Sequence, residues 1–116
     1  MVLLFVETPL FSRQLTECVD DEDFRAFQNE LLRNPELGDL IVGCRGLRKV
    51  RMALPGRGKS GGARVIYLYL PDAHILYLFL LFKKSDTTNL SQSQRNQLGS
   101  LADQIKSSYA QKRQNP

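Results

Sequence analysis

Basic side chains are the residues of this chain whose types and spacing could support chemistry. Lys49 and Arg51 are separated by one residue, Arg64 follows a glycine-rich segment, and Lys84 follows a long apolar run. Arginine binds phosphate oxygens with two parallel hydrogen bonds, and lysine supplies a compact charge. Metal-free RNA cleavage needs a base, charge stabilisation at the phosphate and an acid, and an amine crowded by other cations gives up its proton more readily. The pattern therefore indicates polyanion binding or cleavage, and the charges alone favour binding.

The distribution of charge along the chain supports this interpretation. Residues 1–46 carry four Arg or Lys and nine Asp or Glu, a net charge of −5. Residues 47–84 carry eight Arg or Lys and one Asp, a net charge of +7, and residues 85–116 carry +2. An acidic first part followed by a dense basic middle is typical of a polyanion-binding surface. The alternative is a solvated basic face without a ligand.

The glycine-rich segment ALPGRGKSGG, residues 53–62, matches a permissive form of the phosphate-binding P-loop. A P-loop requires a helix to begin just after its Lys-Ser, so that the helix N–H groups bind the phosphates. Here Gly61 and Gly62 precede a β-branched run, which predicts a strand instead. We therefore expect no nucleotide cofactor and a loop between two strands that presents Arg57 and Lys59 to a phosphate backbone.

Seven elements must position these cations. Thr8-Pro9 is a helix start, Asp20 or Asp21 starts a second helix, and Asn34-Pro35 ends it, so residues 9–34 predict a helical hairpin. Residues 2–7, 47–53, 63–70 and 74–82 predict strands, and 40–42 a short extended piece. Ser91 and Gln94 form a capping box for a helix over 91–110. The order β-α-α-β-β-β-α indicates an α+β fold with a small twisted, mainly antiparallel sheet.

The last three strands predict an antiparallel meander, because their connecting loops are short. Strand alternation places Lys49 and Arg51 on one face and Arg48 on the other. The start of one strand meets the end of its antiparallel neighbour, so Arg64 and Lys84 are expected to converge beside that pair. Three strands thus contribute to one cationic cluster at the loop end of the sheet.

The remaining features of the sequence set limits on the protein. Its 116 residues, 42% of them apolar, indicate one domain over 1–116 with a disordered tail at 111–116. No apolar run is long enough to span a membrane and no leader peptide is evident, so a cytoplasmic protein is expected. Cys18 and Cys44 form no CxxC pair and are expected to be reduced, and with His74 as the single histidine no zinc site is expected.

Three segments carry a resemblance to a known family. They are NPELGDLI at 34–41, GLRKVR at 46–51 and GRGKSGGARVIY at 56–67. Together they resemble the RelE/HigB toxins of bacterial type II toxin–antitoxin systems, most closely the HigB-like branch. The resemblance extends from about Phe5 to Leu98, and the predicted order of elements is similar to that family's fold.

The resemblance implies an endoribonuclease, or mRNA interferase, that cuts messages on the translating ribosome and inhibits translation. It also implies a cognate antitoxin as partner, besides mRNA and ribosomal RNA. By position, Lys49 and Arg51 match the family's basic pair, Arg64 its phosphate-binding arginine, and Lys84 its lysine after the third meander strand. Phe82 stands where the HigB-like branch usually has tyrosine.

The other basic residues of this region are expected to contact RNA or the ribosome: Arg48, Arg57, Lys59 and Lys83. One alternative is a toxin similar to the ParE branch, which inhibits DNA gyrase without cutting RNA. A second is an RNA-binding module that is not toxic. The convergent cations favour the endonuclease, because inhibition of gyrase needs no such set.

Overall fold

The computed structural model describes residues 2–54, 62–83 and 90–114, with side chains as far as Ala110. Three helices lie against a five-stranded sheet. In chain order the elements are β1 (Leu4–Glu7), α1 (Pro9–Cys18), α2 (Asp21–Arg33), β2 (Asp39–Leu40), β3 (Arg48–Met52), β4 (Ala63–Leu70), a 3₁₀ turn (Pro71–Ala73), β5 (Ile75–Lys83) and α3 (Gln92–Gln114). The predicted α+β fold, with a helical hairpin first and a helix last, is confirmed.

The strands follow the order β1-β5-β4-β3-β2 across the sheet. β5, β4, β3 and β2 are antiparallel to one another, and β1 runs parallel to β5, which makes the sheet mixed. The predicted meander is therefore present, with its two apolar strands at the centre. The sequence prediction treated 40–42 only as an extended piece, whereas Asp39 and Leu40 pair with β3 as a strand. Two residues are too short to show the alternation that identifies a strand.

Each face of the sheet carries its own hydrophobic core. The hairpin of α1 and α2 covers one face, where Phe11, Phe27 and Leu31 pack against strand residues such as Val65. α3 covers the other face, where Ala102 packs with Leu47, Ile66, Leu68 and Phe79. We call these the hairpin face and the α3 face. Because β4 and β5 contribute to both cores, their sequences are apolar at almost every position.

The helix starts predicted from the sequence are confirmed. Thr8 and Asp20 are the N-caps of α1 and α2, each accepting a hydrogen bond from the backbone N–H three residues later. Ser91 and Gln94 form the reciprocal hydrogen bonds of a capping box at α3. The predicted end of that helix at residue 110 was wrong, since α3 continues to Gln114. Residues 111–114 are good helix formers with no glycine or proline to stop them.

A β-bulge couples the first helix to the sheet. The β4–β5 register shifts between Ile66 and Tyr67, which leaves Phe79 as an extra residue in β5. The Thr8 hydroxyl donates to the Phe79 carbonyl at 2.8 Å, and the Thr8 N–H donates to the Leu78 carbonyl at 3.0 Å. The threonine that starts α1 therefore also fixes that helix against β5.

The turn between β2 and β3 is attached to α3. Gly43 and Gly46 have φ angles of 79° and 103°, a region that glycine adopts without strain. Arg45 forms an ion pair with Asp103, and the Lys106 ammonium donates to the Arg45 carbonyl. These contacts join α3 to the turn that leads into β3. Among the described residues, no helix is both long enough and apolar enough to cross a membrane.

Candidate nucleic-acid interface

Three of the predicted cations lie together on the α3 face of the sheet. Lys49 and Arg51 alternate in β3 with Val50 and Met52, whose side chains belong to the core on the opposite, hairpin face. In β4, Arg64 alternates with buried residues of that same hairpin core. Arg51 and Arg64 are directly paired across the two strands. We call Lys49, Arg51 and Arg64 the basic face.

Helix α3 leaves this part of its face uncovered. It packs over the middle of β4 and β5, so Ile66 and Leu68 are buried while Lys49 and Arg51 are exposed and Arg64 is half-buried. Residues two apart in a strand lie about 6–7 Å from each other, and directly paired residues have Cβ atoms about 5 Å apart. Three cationic side chains are therefore within reach of a single phosphate or of two consecutive ones.

The paired charges of Arg51 and Arg64 destabilise the sheet when no anion is bound to them. Like charges directly opposite each other on neighbouring strands destabilise a sheet. Asp39 of β2 is directly paired with Lys49 and lies on the same face, so an acidic residue stands opposite that lysine. In the part of the chain that the structure describes, no carboxylate forms an ion pair with Arg51 or Arg64. An anionic ligand would offset the charges of the two arginines.

The side chains of the two arginines run close to the backbone at the start of β4. The Arg64 guanidinium donates to the Ala63 carbonyl at 3.3 Å. The Arg51 side chain crosses Gly62, where an added Cβ would lie 2.9 Å from Arg51 Nε. Both guanidinium groups thus lie at the end of the sheet where β3 finishes and β4 begins.

Phe82 of β5 lies in line with Arg51 and Arg64 across the three neighbouring strands. It is paired with Arg64 from the β5 side, lies on the α3 face and is half-buried. Lys83 is paired with Ala63 instead, so alternation places it on the hairpin face, where it is exposed. The structure therefore separates Lys83 from the basic face. Lys84, Arg57 and Lys59 lie outside the described residues.

Arg48 also lies on the hairpin face and is engaged in structure. Its guanidinium donates to the carbonyls of Gly38 at 2.7 Å and of Glu36 at 3.3 Å, and it lies 3.7 Å from the Glu36 carboxylate. Its side chain is 20% exposed. These contacts hold the turn after α2 against β3, so the geometry gives this predicted RNA-binding residue a structural task.

Tyr67 of β4 also holds the turn after α2, through its side-chain hydroxyl. Its hydroxyl donates to the Pro35 carbonyl at 2.8 Å and accepts the Gly38 N–H at 2.9 Å. Burial raises the pKa of Tyr67, and the hydrogen bond from Gly38 and the nearby charge of Arg48 offset part of that rise. The NPELGD segment is thereby anchored to the strands that carry Arg51 and Arg64.

Arg95 on α3 is a cation that the sequence analysis did not single out. The Arg95 carbonyl accepts a long hydrogen bond from the Cys44 thiol at 3.8 Å, which places this part of α3 over the β2–β3 turn. The Nε of Arg95 is buried and has no hydrogen-bond partner among the described residues. The apolar stripe of α3 gave no signal for it, because Arg95 lies beside that stripe.

The other titratable residues that the structure describes form no comparable site. Burial raises the pKa of the Cys44 thiol, which lies in the core under α3. His74 is exposed and caps the 3₁₀ turn in a left-handed conformation, with φ of 53°. Within residues 2–54, 62–83 and 90–114, no group of three or more His, Cys, Asp or Glu side chains could hold a metal ion.

Comparison with protein families agrees with the architecture. Residues 11–115 match the model of the RelE toxin of the RelE/RelB toxin–antitoxin system. The chain belongs to this family. The resemblance to RelE toxins that the sequence indicated is therefore confirmed.

Solved structures show the same RelE fold. The free state of a double-arginine mutant of the E. coli toxin RelE has a TM-score of 0.55 at 15% identity, over 75% of this chain and 88% of that one. The intact E. coli RelBE toxin–antitoxin complex contains a chain with a TM-score of 0.55 at 14% identity, over 71% of this chain and 96% of that one. At such identities the likeness establishes the fold.

Proposed function

We propose that this RelE-family protein is a ribosome-dependent mRNA endonuclease that inhibits translation, and that the basic face binds the phosphate at which the message is cut. The observation that carries the proposal is the direct pairing of Arg51 with Arg64, with Lys49 on the same face and no described carboxylate in an ion pair with either arginine. A surface that pays for like-charge pairing without a protein counter-ion is suited to a polyanionic substrate.

The chemistry follows from these groups without a cofactor. The 2′-oxygen of the message attacks the adjacent phosphorus, the 5′-oxygen leaves, and a 2′,3′-cyclic phosphate remains. Two guanidinium groups stabilise the negative charge that develops on the phosphoryl oxygens. A lysine amine accepts the 2′-hydroxyl proton, and a protonated group returns a proton to the leaving 5′-oxygen. Lys49 and Lys84 are the candidates for the proton-transfer groups.

The partners follow from the same family. A cognate antitoxin would neutralise the protein, as the RelBE complex illustrates for the E. coli relative. Arg57 and Lys59 in the 53–62 segment, together with exposed Lys83, are proposed to contact ribosomal RNA. Ribosomal RNA would then guide the message to the basic face. We assign the protein to the HigB-like branch of the family, because the segments at 34–41, 46–51 and 56–67 resemble that branch most closely.

Induction in bacteria followed by mapping of the 5′ ends of a translated message tests the proposal. We expect new 5′ ends in register with codons, and no such ends in a matched strain that expresses Arg64→Gln. Intact messages together with DNA-damage signalling would contradict the proposal and indicate a gyrase inhibitor similar to the ParE branch. Intact messages without growth arrest would instead indicate an RNA-binding module without toxicity.

A further inference from the structure

We propose that Gly62 is a positioning residue for Arg51, an inference that rests on the proposed function of the basic face. Gly62 is buried and directly precedes β4. A Cβ added there would lie 2.9 Å from Arg51 Nε and 3.6 Å from Arg51 Cγ. Real Cβ atoms do not approach other heavy atoms as closely as 2.9 Å, so the present course of the Arg51 side chain requires a residue without a Cβ.

The strand register explains why these two residues meet. Arg51 is paired with Arg64, and Gly62 lies two residues before Arg64, so positions 62 and 64 are on the same face. Diagonal neighbours across an antiparallel pair are within reach of a long side chain. The Arg51 guanidinium therefore occupies the space that a side chain at residue 62 would fill, beside Arg64 at the end of the sheet.

A methyl group at residue 62 would move Arg51 and little else. The φ angle of Gly62 lies outside the left-handed region, so alanine there meets no left-handed backbone strain. The next nearest backbone atom, the Met52 carbonyl oxygen, would be at 3.5 Å, an ordinary contact distance. Arg51 is exposed and flexible, so it can turn away at low cost to the fold. Gly62→Ala should thus preserve folding while it displaces one of the two paired guanidinium groups.

Cleavage of mRNA in a purified translating-ribosome complex provides the functional test. We compare wild type with Gly62→Ala, Arg51→Ala and the double variant, and use Gly99→Ala as the matched glycine control. A Cβ at Gly99 would meet its nearest neighbour, the Gly43 carbonyl oxygen, at 3.4 Å. We expect Gly62→Ala to lower the maximal cleavage rate at least tenfold, with a wild-type unfolding midpoint, and to have no further effect when Arg51 is already alanine. Gly99→Ala should cleave at the wild-type rate.

Two results would overturn the inference: wild-type cleavage by Gly62→Ala, or a loss that is undiminished in the Arg51→Ala background. The Nε–Hε NMR signal of Arg51 tests the positioning without reference to cleavage. It should shift in Gly62→Ala while the corresponding signal of Arg13 on α1 stays unchanged. A shifted Arg51 signal supports the positioning even if the wild-type protein cuts no message, which would contradict the proposed function alone. An unchanged Arg51 signal overturns the positioning.

Discussion

The neighbouring β3 residues Arg48 and Lys49 lie on opposite faces of the sheet and have different environments. Arg48 turns to the hairpin face and is held by backbone carbonyls and Glu36, whereas Lys49 turns to the open part of the α3 face and is exposed. The period of two in a strand predicts this separation from the sequence. The contacts of Arg48 with the turn after α2 could not be predicted, because they depend on how that turn folds back onto β3.

Tyr67 is the residue whose hydroxyl matters most for that turn. Tyr67→Phe leaves the Gly38 N–H and the Pro35 carbonyl without their partner in a buried setting. We expect a loss of about 1–3 kcal/mol in the free energy of unfolding at neutral pH. Urea unfolding of both proteins measures it. An unchanged midpoint would show that water replaces the hydroxyl.

The same pair of proteins should differ in their response to alkaline pH. Because burial raises the folded-state pKa of Tyr67, its stabilising contribution is fully present below the pKa of an exposed tyrosine, about 10. That contribution is lost as the pH rises further towards the folded-state pKa. Stability above about pH 10 should therefore fall more steeply for wild type than for Tyr67→Phe. Parallel pH profiles of the unfolding midpoint would contradict this assignment.

At the scale of elements, α1 and the bulge in β5 are one structural unit. Thr8 caps the helix and donates to the Phe79 carbonyl, and the Gln14 side chain accepts the Leu81 N–H at 2.9 Å. The cap itself could be predicted from Thr8-Pro9. The bulge could not, because it depends on the β4–β5 register and is contacted by a residue 71 positions away in sequence.

Substitution of the N-caps of α1 and α2 separates the contribution of helix capping from that of the hydrogen bond to Phe79. Thr8→Ala should destabilise the protein by about 1–3 kcal/mol, since it removes a cap and a partly buried hydrogen bond to the sheet. Asp20→Ala removes only an exposed cap at α2 and should cost about 1 kcal/mol. Thr8→Ser retains the hydroxyl and serves as the control. Equal losses for the two alanine variants, measured by urea unfolding, would show that the bond to Phe79 contributes nothing.

At the scale of the whole molecule, charge is separated along the chain and in space. The acidic residues are concentrated in the segment that includes α1 and α2, and the basic segment supplies β3, β4 and the basic face. Composition and strand register together predicted that Lys49, Arg51 and Arg64 lie on one surface. The sequence could not predict that Gly62 determines the course of Arg51, or that the Nε of Arg95 is buried without a partner among the described residues, because both depend on contacts between elements.

The most direct test of the phosphate-binding face compares two arginines that contribute equally to net charge. Arg64→Gln and Arg13→Gln each lower the formal charge from +4 by one, but Arg64 lies on the basic face and Arg13 is exposed on α1. The measurement is the rate at which each purified variant cuts mRNA in a translating-ribosome complex. Loss of one charge-stabilising group from such a site typically costs about 100-fold or more. We therefore expect Arg64→Gln to be at least about 100-fold slower than wild type and Arg13→Gln to match wild type. Equal rates for the two variants would contradict the account.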